Sequence, residues 1–303
     1  MKHDRDFTPD YGSPAELSPG FRRLTANNPG PFTFKGTNTY LLGTRSIVIL
    51  DPGPALPEHI DSLLKACAGS KIEAILVSHT HMDHSPGARL LKQETGAPIV
   101  GCGPHRAARD LFENEINPLD SSGDKEHQPD RQLQDGEVFQ CAEFGLETIE
   151  TPGHTANHLC FALQGEDLLL SADHVMGWST SIVAPPDGSM RDYMTSIEKL
   201  LSRPETNYYP GHGGKVSDAH TYVQHLKRHR LQREASILAL MAKRSWSIPE
   251  IVNELYADID VSLHPAAGLS VFAHLEDLVE RGLVSSTPDL SLTAHYSNGS
   301  KPS

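Results

Sequence analysis

One stretch of this sequence decides its interpretation: Ser78-His79-Thr80-His81-Met82-Asp83-His84-Ser85-Pro86-Gly87. It follows Ile72–Val77, a run of mainly apolar residues that predicts a strand buried on both faces. A loop at the end of such a strand can point several side chains at one place. Imidazole and carboxylate groups are ligands of zinc and other first-row divalent ions. The spacing His-x-His-x-Asp-His therefore predicts a metal site at His79, His81, Asp83 and His84.

Three further candidate ligands follow predicted strands elsewhere in the chain. They are His154 in Thr151-Pro152-Gly153-His154, Asp173 after the strand Leu168–Ser171, and His212 in Pro210-Gly211-His212-Gly213. Seven ligands are more than one tetrahedral ion needs. They suit two ions roughly 3.5–4 Å apart, so the pattern predicts a dinuclear centre.

The composition limits the class of protein. The 303 residues carry 26 basic and 39 acidic side chains, a formal charge of −13, which is typical of a soluble globular enzyme. Nucleic-acid binders normally have a basic surface, so DNA is not expected as a partner. No apolar run reaches the roughly 18 residues of a membrane helix, and the first ten residues lack the apolar core of a signal peptide. We therefore expect no membrane partner and a cytoplasmic location, where the four cysteines would stay reduced.

Two regions differ from the rest of the chain. Residues 113–137 hold eight acids and two bases, which predicts a solvated loop or flap. After Ser217 the pattern predicts helices and then a hairpin, at Asp218–Lys243, Ile248–Tyr256, Pro265–Arg281, Leu283–Ser285 and Leu290–Thr293. This order is typical of a winged helix, so the sequence predicts a catalytic domain at 1–228 and a winged-helix-like domain at 229–303.

A small basic stripe lies on the first of these C-terminal helices, at Lys227-Arg228-His229-Arg230 with Arg233. It fits either phosphate binding or an ordinary solvated helix face. From Arg228 to the C-terminus the chain has seven bases and nine acids, a balance of 7 − 9 = −2. This balance favours packing, substrate gating or oligomerisation, with a homodimer as one form, over DNA binding by the module.

The order of the motifs resembles that of the metallo-β-lactamase superfamily, in which His-x-His-x-Asp-His precedes a lone His, an Asp and a lone His. The resemblance covers about residues 28–215. Within the superfamily the chain is most similar to the β-lactamase-like protein 2 group, which also has a winged-helix-like tail. This closer similarity rests on Asn28-Pro29-Gly30-Pro31, Gly36-Thr37-Asn38-Thr39-Tyr40-Leu41, Thr151-Pro152-Gly153-His154-Thr155, Asp192-Tyr193-Met194, Tyr209-Pro210-Gly211-His212-Gly213 and His229-Arg230.

The resemblance implies a fold and a role for each ligand. The fold is α+β, an αβ/βα four-layer sandwich of two mixed sheets with helices outside, followed by the small winged-helix-like module. One metal would be held by His79, His81 and His154, the second by Asp83, His84 and His212, with Asp173 bridging them. One residue departs from the family pattern, because Ala172 stands where a glycine usually precedes the bridging carboxylate.

These expectations point to a metal-dependent hydrolase. It would bind two divalent ions per chain, with zinc as the first candidate and iron or manganese as alternatives. The ions lower the pKa of a bridging water, and the resulting hydroxide attacks a carbonyl carbon or a phosphorus atom. Asp83 would orient or deprotonate this water. The sequence leaves two substrate classes open. One is a small ester, thioester or lactone. The other is a phosphodiester, single-stranded RNA, because the most similar group includes an endoribonuclease.

A second hypothesis belongs to another class of protein. In it the chain is a regulator, whose metal site is a sensor and whose winged helix contacts DNA or a protein. In either case, four more residues are candidates for contact with the ligands or for lining the substrate pocket: His158, His174, Trp178 and Asn38.

Overall fold

The computed structural model describes residues 3–113 and 115–299. Its strands are β1 (Ala15–Ser18), β2 (Phe21–Thr25), β3 (Asn38–Leu42), β4 (Ser46–Leu50), β5 (Lys71–Val77), β6 (Ile99–Gly101), β7 (Arg131–Gln132), β8 (Val138–Gln140), β9 (Gly145–Glu150), β10 (Leu159–Leu163), β11 (Leu169–Ala172), β12 (Tyr208–Pro210), β13 (Trp246–Ser247), β14 (Val284–Thr287) and β15 (His295–Asn298). Its α-helices are α1 (Pro57–Ala66), α2 (Gly87–Thr95), α3 (Met190–Leu201), α4 (Ala219–Met241), α5 (Ile248–Leu255) and α6 (His264–Glu280). Among the described residues, no helix combines the length and the apolar character needed to cross a membrane.

Two mixed sheets form the larger part of the molecule. The first has seven strands in the sequential order β1 to β7, and the second has five in the order β12-β11-β10-β9-β8. In the first sheet β3 and β4 form an antiparallel hairpin, whereas β4 to β7 run parallel. Parallel neighbours need a crossover connection, and α1 and α2 are the crossovers before and after β5.

The two sheets face each other, and helices cover their outer sides. Strand β10 shows the arrangement, because successive side chains of a strand point to opposite faces. Leu159 and Phe161 pack in one core with the first sheet, whereas Cys160 and Ala162 pack with α3 and α4. Helices α1 and α2 pack on the first sheet through residues such as Leu63. The expected αβ/βα four-layer sandwich is therefore confirmed.

The C-terminal region forms the expected winged-helix-like module. Helices α5 and α6 and the C-terminal half of α4 share a separate core with the three-stranded sheet β13-β15-β14. The predicted second wing strand is wrong, because Leu290–Thr293 lie in a loop and the strand is His295–Asn298. The reason is packing: Tyr296 is fully buried in this core, and its hydroxyl donates to the carbonyl of Ser291 (2.6 Å), which closes the loop.

Helix α4 belongs to both cores. Its N-terminal half packs against α3 through Val223 and Leu226, and its C-terminal half enters the winged-helix core through Ile237 and Leu240. The predicted domain boundary at 228/229 lies within this continuous helix. The division into two domains at that point stays a prediction.

The acid-rich segment is only partly the solvated loop that its composition predicts. Asp124 is buried, and its carboxylate accepts hydrogen bonds from the hydroxyl of Ser85 (2.8 Å) and the guanidinium of Arg89 (2.7 Å). Its backbone N–H donates to the carbonyl of Thr80 (2.7 Å). These partners replace the water that a buried carboxylate loses. They also fix the segment to the loop that carries His81.

The chain turns sharply at the end of β11, where Ala172 precedes Asp173. Ala172 has a φ of +41°, in the left-handed region that glycine adopts freely and that costs an L-residue about 1–2 kcal/mol. The turn is held because the N–H of Gly211 donates to the carbonyl of Ala172 (2.9 Å). The preference for glycine at this position therefore has a backbone cause.

We expect Ala172→Gly to raise the free energy of unfolding by about 0.5–1 kcal/mol, because glycine removes the strain but has more freedom in the unfolded chain. Urea denaturation measures this change. Ala162→Gly, in the regular strand β10, is the matched control and should lower stability. A destabilising Ala172→Gly would contradict the strain argument.

His59, in the first turn of α1, makes stability depend on pH. Its Nε2 lies 2.9 Å from the hydroxyl oxygen of Thr39, and burial lowers its pKa to about 4 from 6.5. The unfolded chain therefore binds more protons between these values. The stabilisation is complete above about pH 6.5 and is lost as the pH falls towards 4.

As the pH falls from about 8 to about 4, we expect the wild type to lose on the order of 2–3 kcal/mol more of its free energy of unfolding than His59→Gln does. Denaturation curves of both proteins between about pH 4 and pH 8 measure it. Equal losses in the wild type and the variant would show that His59 is not the group responsible.

Candidate metal centre and substrate cavity

Three imidazoles converge at one end of the sandwich. The Nδ1 of His81 lies 3.2 Å from the Nε2 of His79 and 3.0 Å from the Nε2 of His154. His79 and His154 are buried, and His81 is partly exposed. These three residues come from two loops, one after β5 and one after β9, that the two sheets bring together. They form the first predicted ligand group.

The second predicted group lies beside the first. The Nε2 of His212 is 3.1 Å from the Oδ2 of Asp83 and 3.3 Å from the Nε2 of His84. The Nε2 of His84 is 3.4 Å from the same Asp83 oxygen. His212 follows β12, an edge strand of the second sheet, whereas Asp83 and His84 follow β5 of the first sheet. The second group therefore also draws its residues from both sheets.

Asp173 lies between the two groups. Its Oδ2 is 3.3 Å from the Nε2 of His212 and 3.7 Å from the Nε2 of His154. Its Oδ1 is 3.4 Å from the Nε2 of His84 and is buried without a hydrogen-bond partner. A carboxylate that reaches both groups is placed as a bridging ligand needs to be.

The donor set fits divalent metal ions. Ligands at roughly 2.0–2.1 Å from a tetrahedral ion lie about 3.3 Å from each other, close to the separations found here. The unpaired Oδ1 of Asp173 is a buried acceptor that a cation would satisfy. His79, His81 and His154, and Asp83, His84 and His212, are each close enough to share an ion.

In four of the ligand histidines, the ring nitrogen that points away from the centre has a hydrogen-bond partner in the protein. The Nδ1 of His154 lies 2.6 Å from the carbonyl of Ile182, and the Nδ1 of His212 lies 3.1 Å from the carbonyl of Gly36. A carbonyl only accepts, so these Nδ1 atoms carry a proton, and each Nε2 is the nitrogen that faces the centre and would bind a metal ion. His79 and His84 have corresponding partners in the Ser78 hydroxyl (2.9 Å) and the Asp51 carboxylate (3.1 Å).

Asp51 is the residue that the sequence analysis missed. It was part of Asp51-Pro52-Gly53-Pro54, which is typical of a turn. The buried carboxylate accepts from the backbone N–H (2.7 Å) and the hydroxyl (2.6 Å) of Ser78, besides contacting His84. The only sequence signal was its position, since Asp51 follows a strand at the same sheet edge as the ligands.

Burial and charge divide the histidines into two kinds. Burial lowers the pKa of His79 and His154 below the usual value, and that of His81 to about 3, so these rings are neutral. Burial also acts on His212, but Asp173 and Asp83 outweigh it and raise the pKa to about 10. The second group therefore carries a proton in place of a metal ion, and metal binding there releases it.

The other predicted residues divide between contact with the ligands and packing. The Nε2 of His158 accepts from the N–H of Asp173 (3.2 Å), so His158 contacts the centre. The amide of Asn38 donates to the carbonyls of Pro210 (3.0 Å) and Gly213 (2.9 Å), which holds the turn of His212. Trp178 lines the cavity described next. His174 does not, because its ring is buried 4.5 Å from the ring of Tyr193.

A cavity of about 640 Å³ opens beside the candidate metal centre, and His81, Asp83, His154, Asp173 and His212 line its base. Its walls are mainly apolar and come from four segments that are distant in sequence: Pro31–Thr33, Pro118–Ser122, Met176–Ala184 and Pro265–Leu269. Among the described residues, no lysine or arginine lines it. The last segment is the start of α6, so the winged-helix-like module forms one wall.

A four-layer sandwich with convergent His and Asp side chains at one edge defines a class of metal-dependent hydrolases. The profile described as "Metallo-beta-lactamase superfamily" matches residues 32–212, and that described as "Beta-lactamase associated winged helix domain" matches residues 247–291. The chain belongs to the metallo-β-lactamase superfamily and is a hydrolase of that superfamily. Both the family and the winged-helix prediction are confirmed.

Two relatives and one solved structure cover most of the chain. "Beta-lactamase-like protein 2 homolog" of Caenorhabditis elegans is 33% identical over 276 residues, 89% of this chain and 87% of the relative. "Atrochrysone carboxyl ACP thioesterase" of Aspergillus chevalieri is 29% identical over 262 residues, 81% and 77%. A beta-lactamase domain protein from Burkholderia ambifaria superposes with a TM-score of 0.78 at 19% identity, over 97% and 96% of the two chains, which shows the common fold. The predicted similarity to the β-lactamase-like protein 2 group is confirmed.

We expect Asp51→Asn to weaken zinc binding by roughly 10–100-fold, because the variant keeps the shape but loses the charge that orients His84. Competition with a chelator of known affinity measures this loss. Asp61→Asn, an exposed aspartate on α1, is the matched control and should bind zinc as the wild type does. Unchanged zinc affinity in Asp51→Asn would contradict the orienting role.

Proposed function

We propose that the chain holds two divalent ions, zinc first, and hydrolyses an ester or thioester whose acyl group is apolar. One observation carries the metal part of the proposal: the ligand atoms of the seven predicted residues lie 3.0–3.7 Å from their neighbours at one buried point. One group is His79, His81 and His154, the other is Asp83, His84 and His212, and Asp173 joins them. When bound, such ions lower the pKa of a water molecule and polarise the attacked oxygen.

The chain's own residues then position the reactants. Asp83 is the most exposed of the carboxylates in the cluster, with 26% of its side chain accessible, and it lines the cavity. The hydroxyl of Thr37 donates to its Oδ2 (3.3 Å), which fixes the carboxylate. Asp83 orients the water and accepts its proton while the water oxygen adds to the carbonyl carbon. The bond from carbon to sulfur or oxygen breaks, and the proton passes to the leaving thiolate or alkoxide.

The walls of the cavity support an acyl substrate over RNA. Phe32, Trp178, Ile182 and Leu269 offer apolar contact, and the charged groups among the described lining residues are carboxylates and histidines. Binding of an RNA strand depends on lysine and arginine contacts along its phosphates. A carboxylate such as Asp187 in the wall repels phosphates instead. A neutral acyl chain gains free energy by leaving water in this cavity.

The relatives are compatible with this substrate class. The Aspergillus chevalieri relative is named as a thioesterase, so the same fold has a named member that acts on a thioester. Cleavage of single-stranded RNA stays the alternative within the hydrolases. A regulator that binds DNA through the winged helix is a weaker alternative, since the start of α6 is used as a cavity wall. A cytoplasmic location and a homodimer stay predictions.

The decisive test compares two substrates on the zinc-loaded protein: a series of acyl thioesters of increasing chain length and a fluorescent single-stranded RNA. We expect kcat/KM to rise with acyl length, because each added methylene buried in the cavity contributes about 0.8 kcal/mol. Asp83→Asn should lower kcat by roughly 10²–10⁴-fold, the usual contribution of general acid–base catalysis. Metal content is measured on every sample.

Asp61→Asn is the matched control here as well, because Asp61 is exposed on α1 and does not line the cavity. It should keep full activity. Cutting of RNA with no thioester turnover would replace the proposed substrate class and leave the metal centre standing. Full activity of metal-free protein would overturn the metal centre itself.

A further inference from the structure

A second cavity lies in the seam between the two modules, away from the candidate metal centre. It measures about 260 Å³ and is bounded by α3, α4 and α6. Arg230 of α4, from the basic stripe of the sequence, and His274 of α6 line it. The proposed hydrolase activity uses neither residue.

Arg230 is a buried cation without a counterion. Only 4% of the residue is exposed, and no carboxylate of the described residues lies within 4.0 Å of its guanidinium. One of its nitrogens donates to the carbonyl of Ser181, but its Nε has no hydrogen-bond partner among the described residues. The ring of Tyr193, 5.1 Å away, gives it a π face but no negative charge. A buried charge without a partner is strongly unfavourable, so an anionic ligand at this place would stabilise the protein.

The neighbouring arginines show the contrast. Arg191 pairs with Asp277 (3.0 Å) and with Glu280, and Arg281 pairs with Glu234 (2.8 Å) and Asp277 (3.2 Å). These pairs lie at the edge of the same cavity. The carboxylates near the cavity are therefore already paired with Arg191 and Arg281, and they do not neutralise Arg230.

His274 is the second unpaired group. It is 2% exposed and lines the cavity, and in the described part of the chain neither ring nitrogen has a hydrogen-bond partner. Burial, followed by the nearby Arg230, lowers its pKa to about 3. The neutral ring has one N–H donor and one acceptor. Leaving both unused in the interior is unfavourable, which a polar ligand would correct.

We propose that this seam cavity is a binding site for an oxyanion, the phosphate or carboxylate group of a small molecule. The guanidinium of Arg230 would pair with the charge, and the N–H of His274 would donate a second hydrogen bond. Planar guanidinium donors match the geometry of both oxyanions. The site joins α4 and α6, so occupancy would tie the winged-helix-like module to the catalytic domain.

Hydrogen bonds also link the seam cavity to the loop of the catalytic domain that contains Ser181. The Ser181 carbonyl that accepts from Arg230 belongs to the segment that carries Trp178. The hydroxyl of the same Ser181 donates to the carbonyls of Asp173 and His174 (3.0 Å for the latter). Ser181 therefore contacts both Arg230 and the backbone of Asp173.

The test titrates zinc-loaded protein with sulfate, as a tetrahedral probe, and with acetate, as a planar one, against chloride of equal ionic strength. Two readouts are used: the melting temperature and the ¹H–¹⁵N signal of the arginine Nε–H groups. We expect one probe to raise the melting temperature saturably and to shift the Arg230 signal. Which probe acts distinguishes a phosphate site from a carboxylate site.

Arg230→Met should abolish the saturable rise in melting temperature, and His274→Phe, which keeps the ring shape, should weaken binding by at least about tenfold, as read from the Arg230 signal. Arg233→Met is the matched control, because Arg233 has the same kinds of partner as Arg230, the carbonyl of Leu255 (2.7 Å) and the ring of Tyr256, but is partly exposed and does not line the cavity. It should bind as the wild type does. If Arg230→Met fails to fold, the weaker binding expected of His274→Phe and the shift of the Arg230 signal in the wild type still test the site.

Two outcomes would overturn the site. One is the absence of any saturable effect beyond that of chloride in the wild type. The other is an effect that survives both Arg230→Met and His274→Phe, since it would then arise at the metal centre or on the surface.

Discussion

The structure depends on one electrostatic constraint, which is the close packing of five imidazoles and two carboxylates, most of them buried. Groups of this kind are unfavourable in an apolar interior unless a cation or fixed donors satisfy them. The fold meets the constraint from outside the cluster. Backbone carbonyls of Gly36 and Ile182, the hydroxyl of Ser78 and the carboxylate of Asp51 hold the histidine nitrogens that face away from the centre.

Backbone strain is concentrated at the same place. Three of the four non-glycine residues with positive φ among those described are Phe34, Asp51 and Ala172. Asp51 contacts the candidate ligand His84, and Ala172 directly precedes the candidate ligand Asp173. Phe34 stacks on Trp178 of the cavity wall (4.9 Å between ring centroids). Strain of this kind persists only where the surroundings hold it, and it is common at functional sites. Packing of the two sheets stabilises these turns in the forms that the centre needs.

The C-terminal module is built into the active region and is more than an attached domain. Helix α4 contributes to both cores, and the start of α6 closes the cavity through Pro265, Ala266 and Leu269. Arg109 of the catalytic domain also pairs with Glu276 of α6. The candidate ligands come from one module and a wall of the cavity from the other, so the proposed acyl substrate would contact both. Substitutions in the C-terminal module would then alter which acyl groups fit without changing the candidate metal ligands.

The sequence by itself determined the parts of this protein whose signal is local. The His-x-His-x-Asp-His spacing, the strands that precede each candidate ligand, and the helix order of the winged helix can be read in short windows, because strand and helix periods repeat over a few residues. Tertiary structure alone decided the rest. Asp51 reads as a turn residue until β4 and β5 place it beside His84. His174 reads as a candidate for contact with the ligands or for lining the pocket, and the structure packs its ring against Tyr193 of α3. The walls of the cavity come from segments as distant as Phe32 and Leu269. No local period records such contacts, since they arise only when burial of the two sheet faces brings distant loops to one edge.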